Sequence, residues 1–139
     1  MNLKDKVIVV TGGGQGLGRA MAESFAGKGA NIALIDVNED QLAATMQQVQ
    51  ELGSQCKYYV ADVTNEQQVE NTFEQIAADF GAIHGLINNA GILRDGMFIK
   101  VKDGEITKKM SLEQFQSVID VNLTGVFLCG REAAAQMIK

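Results

Sequence analysis

Short apolar runs of strand length alternate with helix-spaced apolar stripes along the first part of the chain. "KVIVV", Lys6 to Val10, is rich in β-branched residues and predicts a buried strand. Leu17, Met21 and Phe25 then recur at four-residue spacing, and Gly29 offers a left-handed stop for that helix. "NIALID", Asn31 to Asp36, predicts a second strand. Its helix begins where Asn38 can cap with Gln41 three residues on, carries Leu42, Met46, Val49 and Leu52 as its stripe, and ends at Gly53. "KYYVADV" predicts a third strand, and Val69, Phe73, Ile76 and Phe80, closed by Gly81, a third helix. "HGLINNAG" supplies a fourth strand with a glycine-bearing end. Strands so apolar are expected to be covered on both faces. The alternation predicts a parallel sheet with right-handed crossovers, whose ligand sits at the carboxyl edge where the strand order reverses.

The helical period then lapses over "ILRDGMFIKVKDGEITKKM". Asp103-Gly104 is flanked by Ile99 and Val101 on one side and Ile106 on the other, the signature of a two-residue hairpin turn. Ser111, with Gln114 three residues on, starts one long helix expected to run to the last residue. No linker, repeat or low-complexity segment divides residues 1–139, so a single domain is expected.

The candidate chemistry begins in "VVTGGGQGLGRAMAESF", Val9 to Phe25. Gly12, Gly16 and Gly18 fall between a strand and a helix start, where free backbone N–H groups and the helix dipole favour a pyrophosphate and side chains would block its approach. The spacing T-G-x-x-x-G-x-G is not the strict G-x-G-x-x-G. The P-loop also fails, because Arg19 and Ala20 stand where lysine and serine or threonine should follow the last glycine. Asp36 ends the second strand about twenty residues on, where a carboxylate can accept hydrogen bonds from both hydroxyls of an adenosine ribose.

Charge narrows the partner. The net charge is −5, and no basic stripe exists to displace counterions, which argues against nucleic acid or an anionic membrane and for a small molecule. "MNLKDK" lacks the apolar core of a signal peptide, and no run approaches the ~18 apolar residues of a membrane span, so a cytoplasmic protein is expected. Cys56 and Cys129 match no metal-ligand or C-x-x-C spacing and read as small buried hydrophobes; no metal site is expected.

"TGGGQGLG", "DV" after the third strand, "NNAG" at Asn88 to Gly91 and "VNLTG" at Val121 to Gly125 occur in the order that resembles the short-chain dehydrogenase/reductase family. The resemblance covers essentially the whole chain. It implies a Rossmann-type, doubly wound parallel sheet with helices on both faces, and NAD as cofactor. By resemblance Gly12, Gln15, Gly16, Leu17 and Gly18 hold the pyrophosphate side, and Asp36 and Val37 the adenosine ribose. Asp62 and Val63 would meet the adenine, and Asn89, Ala90 and Gly91 the nicotinamide-side ribose. Asn88 would steady the central strands, and Asn122 matches the catalytic-site asparagine that holds a water in the family's proton relay. Asp36 would repel a 2′-phosphate, so NAD(H) is expected over NADP(H).

The family's active site also needs a serine and a Tyr-x-x-x-Lys pair. Neither is found: Tyr58 and Tyr59 are the only tyrosines, with Asp62 and Val63 four residues on, while His84 begins a strand and Ser111 is a helix cap. The sequence therefore resembles an amino-terminal portion, with a general acid expected beyond it. "NNAGILRD" is most similar to 3-oxoacyl-thioester reductases and 3-hydroxyacyl dehydrogenases, which suggests an acyl thioester as substrate. Family members usually pair through the long helix, so a homo-oligomer, dimer or tetramer, is implied. A non-catalytic dinucleotide-binding or interaction module remains the alternative. The lysine-bearing hairpin reads either as a flap beside the substrate mouth or as a solvated surface turn.

Overall fold

The alternation folds into a parallel sheet in a computed structural model that describes residues 2–139. Strands β1 (Val7–Thr11), β2 (Asn31–Asp36), β3 (Cys56–Val60) and β4 (Gly85–Ile87) lie in the order β3-β2-β1-β4. Helices α1 (Gly16–Ala26) and α2 (Glu39–Glu51) make the crossovers among the first three strands, and α3 (Glu66–Phe80) carries the chain across to β4. A two-residue period divides the core between the faces. Ile8, Val10, Ile32 and Leu34 pack with Leu42 and Val49 on the α1–α2 side. Val9, Ala33 and Ile35 pack with Phe73, Ile76 and Leu128 on the other. Full burial of a side chain of this size contributes about 1.5–3 kcal/mol, so these two layers are the main support of the sheet.

The helix starts follow their caps. Asn38 Oδ1 accepts from Gln41 N at 3.0 Å, and Ser111 Oγ accepts from Gln114 N at 3.1 Å. Asn65 Oδ1 makes the same contact with Gln68 N at 3.0 Å. Gly81 ends α3 at φ 81°, and Gly53 lies at φ 87° just beyond α2. Cys56 and Cys129 are free and buried, and burial pushes their thiols up to about 12 and about 11.

Several expectations need correction. Helix α1 buries Gly18, Ala22 and Ala26 most deeply; of the stripe Leu17, Met21 and Phe25, Phe25 packs half-buried against the core and Met21 is half-buried, but Leu17 is 76% exposed. The helix sits so close to the sheet that only small residues fit beneath it. Leu52 lies past the end of α2 and is exposed. Strand β3 is an edge, so it is not covered on both faces: Tyr58 and Tyr59 are half-buried and Val60 is exposed. Strand β4 begins at Gly85, just after His84, whose Nδ1 accepts from Val7 N at 3.0 Å.

The predicted long helix runs unbroken from Leu112 to Ile138 but contains a π-helical turn. Helix α4 (Leu112–Ile119) and α5 (Gly125–Ile138) are joined by that turn, Asp120–Thr124, in which Gly125 N donates to Asp120 O five residues back. Between β4 and α4 stands the predicted hairpin, β5 (Ile99–Lys102) and β6 (Glu105–Lys109). Asp103 at φ 52° and Gly104 at φ 80° make the left-handed pair that a tight two-residue turn requires.

Candidate functional site

Four strand ends converge on one cleft of about 510 Å³ at the carboxyl edge of the sheet. Gly12, Gln15, Gly16 and Leu17 line it from the β1–α1 turn; Ile35, Asp36 and Val37 from the end of β2. Ala61, Asp62 and Val63 follow β3; Asn89, Ala90, Gly91 and Ile92 follow β4; and Val121 reaches in from the π turn. This is the place where the connection reverses direction, between α1 on one face and α3 on the other.

The turn after β1 is shaped by two glycines with left-handed backbone, Gly12 at φ 65° and Gly16 at φ 57°. Gly18 does not line the cleft; its Cα sits against the turn, where an added Cβ would stand 2.1 Å from Gly12 O. Gln15 is the N-cap of α1 but makes no side-chain cap, and the first turn of α1 carries no acid. The helix therefore opens toward the cleft with uncapped N–H groups, a donor set suited to an anion. Nothing lies within 4 Å of a Cβ built on Gly16, so the space over that backbone is open. Gln15 is held from the side, its Oε1 accepting from Gln41 Nε2 at 3.0 Å.

Asp36 closes the turn from across the cleft. Its Oδ2 accepts from Gly14 N at 3.0 Å, and its Oδ1 accepts from Val37 N at 2.7 Å. These bonds fix the carboxylate while leaving lone pairs for further donors. Thr45 Oγ1 donates to Gly14 O at 3.1 Å, which anchors the other side of the glycine turn to α2. Asp62 Oδ1 accepts from Thr64 N and Thr64 Oγ1, a local turn that leaves the residue exposed.

Thr11, which the sequence reading passed over, is the hub between the two loops. Its buried Oγ1 accepts from Asn89 N and Ala90 N, both at 3.0 Å, and donates to Ile87 O at 3.4 Å. Asn89 Nδ2 returns the tie, donating to Thr11 O at 3.1 Å and Gly12 O at 3.2 Å. Its available signal was position: a threonine at the last strand residue, beside a loop whose N–H groups have left the sheet. Asn88 does not bond to the neighbouring strands; its Nδ2 donates to Val126 O at 3.3 Å and ties the loop to α5.

Asn122 lies in the π turn with its amide spanning Ile92. Oδ1 accepts from Ile92 N at 2.8 Å, and Nδ2 donates to Ile92 O at 3.0 Å. These two bonds pin the loop that forms the cleft's far wall and leave one N–H and one oxygen lone pair of the exposed amide free. Neither tyrosine is near this place. Tyr58 hydroxyl donates to Glu39 at 3.1 Å and Tyr59 hydroxyl to Asp79 at 2.7 Å, and neither residue lines the cleft. The Glu39 hydrogen bond raises Tyr58 above the usual tyrosine range, and burial with the Asp79 bond raises Tyr59 further. No Lys, Arg or His lines the cleft.

The family model described as short chain dehydrogenase matches residues 6–139. The chain belongs to the short-chain dehydrogenase family. Among relatives it is 36% identical over 138 residues to 2,5-dichloro-2,5-cyclohexadiene-1,4-diol dehydrogenase of Sphingobium indicum, covering 99% of this chain and 51% of that protein. It is 33% identical to the 3-oxoacyl-acyl-carrier-protein reductase of Escherichia coli K12, covering all of this chain and 52% of the reductase. The crystal structure of NAD+-bound xylitol dehydrogenase superposes with a TM-score of 0.86 at 36% identity, over 99% of this chain and 50% of that one. The chain spans about half the length of the curated relatives it matches. These matches bear out the family and the Rossmann-type sheet expected from the sequence. Among the described residues no helix is long and apolar enough to cross a membrane.

Proposed function

We propose that the protein is a cytoplasmic, NAD(H)-dependent oxidoreductase that acts as a homo-oligomer on a carbonyl or secondary alcohol, with a 3-oxoacyl thioester as the first substrate to assay. The observation that carries this reading is the placement of Asp36 across the cleft from the bare, uncapped start of α1. A dinucleotide needs both at once: N–H donors for its pyrophosphate and a fixed carboxylate for its ribose hydroxyls. The residues present fit it, because the backbone above Gly16 is open and the cleft is lined by four short polar side chains, Gln15, Asp36, Asp62 and Asn89, among apolar ones.

On this reading Gly12, Gln15, Gly16 and Leu17 line the pyrophosphate, with Gly18 keeping α1 close enough for its N–H groups to reach. Asp36 and Val37 receive the adenosine ribose, and Asp62 and Val63 the adenine. Asn89, Ala90 and Gly91 receive the second ribose, held in place by Thr11. Asn122 acts through Ile92 in shaping the wall where the nicotinamide would lie. When bound, the nicotinamide supplies or takes the hydride. The chain's own contribution is to bind, orient and exclude water; its two tyrosines hydrogen-bond elsewhere and cannot exchange a proton with a substrate in the cleft. That observation favours a second reading for these 139 residues taken alone, a dinucleotide-binding module without turnover.

Fluorescence titration of the protein with NADH and with NADPH tests the assignment. A 2′-phosphate would face the Asp36 carboxylate in a cleft with no lining cation. NADH should bind at least about tenfold more tightly, a difference of about 1.4 kcal/mol. Equal or tighter NADPH binding, or binding of neither, overturns it.

A further inference from the structure

A second, shallower pocket of about 360 Å³ adjoins the dinucleotide cleft through Ile92, which lines both. Leu93, Met110, Phe115, Val118 and Ile119 give it an apolar wall. Met110 N donates to Phe98 O at 2.9 Å, so the base of the β5–β6 hairpin is fastened to that wall. The hairpin itself stands free: every residue of both strands is exposed.

Its charges are arranged against their own interest. Lys100 lies directly opposite Lys108, and Lys102 opposite Glu105, so three lysines share one face of a two-stranded ribbon. Like charges directly opposed destabilise a strand pair, and an isolated hairpin is already marginal in water. No acid from elsewhere relieves them, since no ion pair joins Lys100, Lys102 or Lys108 to another residue among those described. The residues from Met97 to Lys109 carry four lysines against two acids in a chain whose net charge is −5. A register irregularity between Lys100 and Val101 adds local twist at the same point.

We propose that this lysine face holds the phosphate-bearing end of a substrate whose apolar part enters the adjoining pocket. The order along the surface is dinucleotide cleft, apolar pocket, cationic arm, and it matches a molecule with a reacting carbonyl, an apolar segment and a polyanionic end. Phosphate oxygens meeting lysine ammonium groups make charge-assisted bonds and remove the repulsion between Lys100 and Lys108 in the same event. The inference rests on the oxidoreductase reading above, whose substrate class it narrows.

The test is calorimetric titration of the protein with coenzyme A and with its phosphate-free analogue pantetheine, beside the variant Lys100→Gln/Lys102→Gln/Lys108→Gln. The three substituted residues are exposed. Coenzyme A should bind the unaltered protein more tightly than pantetheine, weaken with added salt, and lose about tenfold or more in affinity in the triple variant; pantetheine and NADH affinities should not move. Equal coenzyme A affinity in both proteins, or none in the unaltered one, overturns the proposal. So does a triple variant whose sedimentation changes while coenzyme A binding stays, which would make the arm a contact between copies. Loss of NADH binding from the unaltered protein with coenzyme A binding retained would strike the oxidoreductase reading and leave the lysine site standing.

Discussion

Replacing Thr11 by valine should loosen the whole cleft while changing almost no volume. The hydroxyl is buried and accepts from two backbone N–H groups, those of Asn89 and Ala90, each at 3.0 Å. Valine keeps the branched shape that β1 needs and offers no acceptor, so both donors lose their partner. An orphaned buried donor costs about 1–3 kcal/mol. Both residues are only half-buried, so part of the loop can turn toward water, and the expected total is roughly 2–4 kcal/mol rather than the full sum for two donors. For a chain of this length each kcal/mol shifts the melting temperature by about 2–4 °C, which places the variant roughly 5–15 °C below the unaltered protein. The same change should weaken NADH binding, because Asn89 and Ala90 would no longer hold their side of the cleft. Thr11→Ser is the control: it keeps the acceptor and removes one buried methyl, for about 1 kcal/mol. Thermal unfolding of the three proteins, followed by NADH titration, makes the comparison. If valine costs no more than serine and leaves NADH affinity intact, the hydroxyl is not the tie between the loops.

Gly18→Ala would place a Cβ 2.1 Å from Gly12 O and 2.6 Å from Asn89 Nδ2, so α1 must move away from the turn; overpacking of this kind costs typically 1–3 kcal/mol, and the melting temperature should fall by more than in Gly16→Ala, whose Cβ meets no protein atom, while both variants should weaken NADH binding, Gly16→Ala by filling the space proposed for the pyrophosphate. Asn122→Ala removes both bonds to Ile92, at about 1 kcal/mol each, and should speed amide exchange at Ile92 without altering β1 or β2; unchanged exchange there would show the clamp to be idle. Stability should fall above pH 9, because burial and the Asp79 bond hold Tyr59 protonated in the fold, and burial holds the Cys129 thiol up to about 11, while the unfolded chain ionises from the ordinary cysteine value of 9.0. On the acid side Tyr59 holds the Asp79 carboxyl below its usual range, so that contribution is present above the ordinary carboxylate value and is lost as pH falls through the depressed one. Tyr59→Phe should flatten both limbs in denaturant titrations across pH, and an unchanged profile would remove Tyr59 from the account.

The sequence pattern located the elements well because the strand and helix periods differ so clearly in the first ninety residues. It located the cleft for the same reason: once three strands alternate with helices, the loops after the strands must meet at one edge. What it could not carry was distance. Nothing in "GLGRAMAESFA" says that α1 approaches the sheet closely enough for Gly18, Ala22 and Ala26 to form its buried side, which turns Leu17 outward into the cleft mouth. Nor does "VNLTG" announce a π turn, since it contains no proline and keeps good apolar spacing. The turn exists where Asn122 grips Ile92 from another segment, and a contact of that kind has no local signature. Thr11 escaped because a β-branched residue at a strand end is expected for its shape, and its hydroxyl acquires meaning only when the fourth strand comes alongside.

The position of the cleft follows from connectivity more than from any one residue. Helices α1 and α2 cover one face of the sheet, and α3 crosses to the other before β4 pairs with β1. The loops after β1 and β4 therefore leave neighbouring strands in opposite directions, and a gap must open between them at the carboxyl edge. Filling that gap with side chains would close it, which is why the β1 side is lined by glycines and the β4 side by Ala90 and Gly91. The price of so bare a lining is that little side-chain chemistry remains to discriminate one ligand from another. Selectivity then falls on the few polar groups whose positions are fixed by other bonds, Asp36 by Gly14 and Val37, Asn89 by Thr11 and Gly12. Those second bonds matter as much as the groups themselves: an Asp36 free to rotate could turn its charge away from the cleft, whereas one tied to Gly14 N cannot do so without opening the glycine turn after β1.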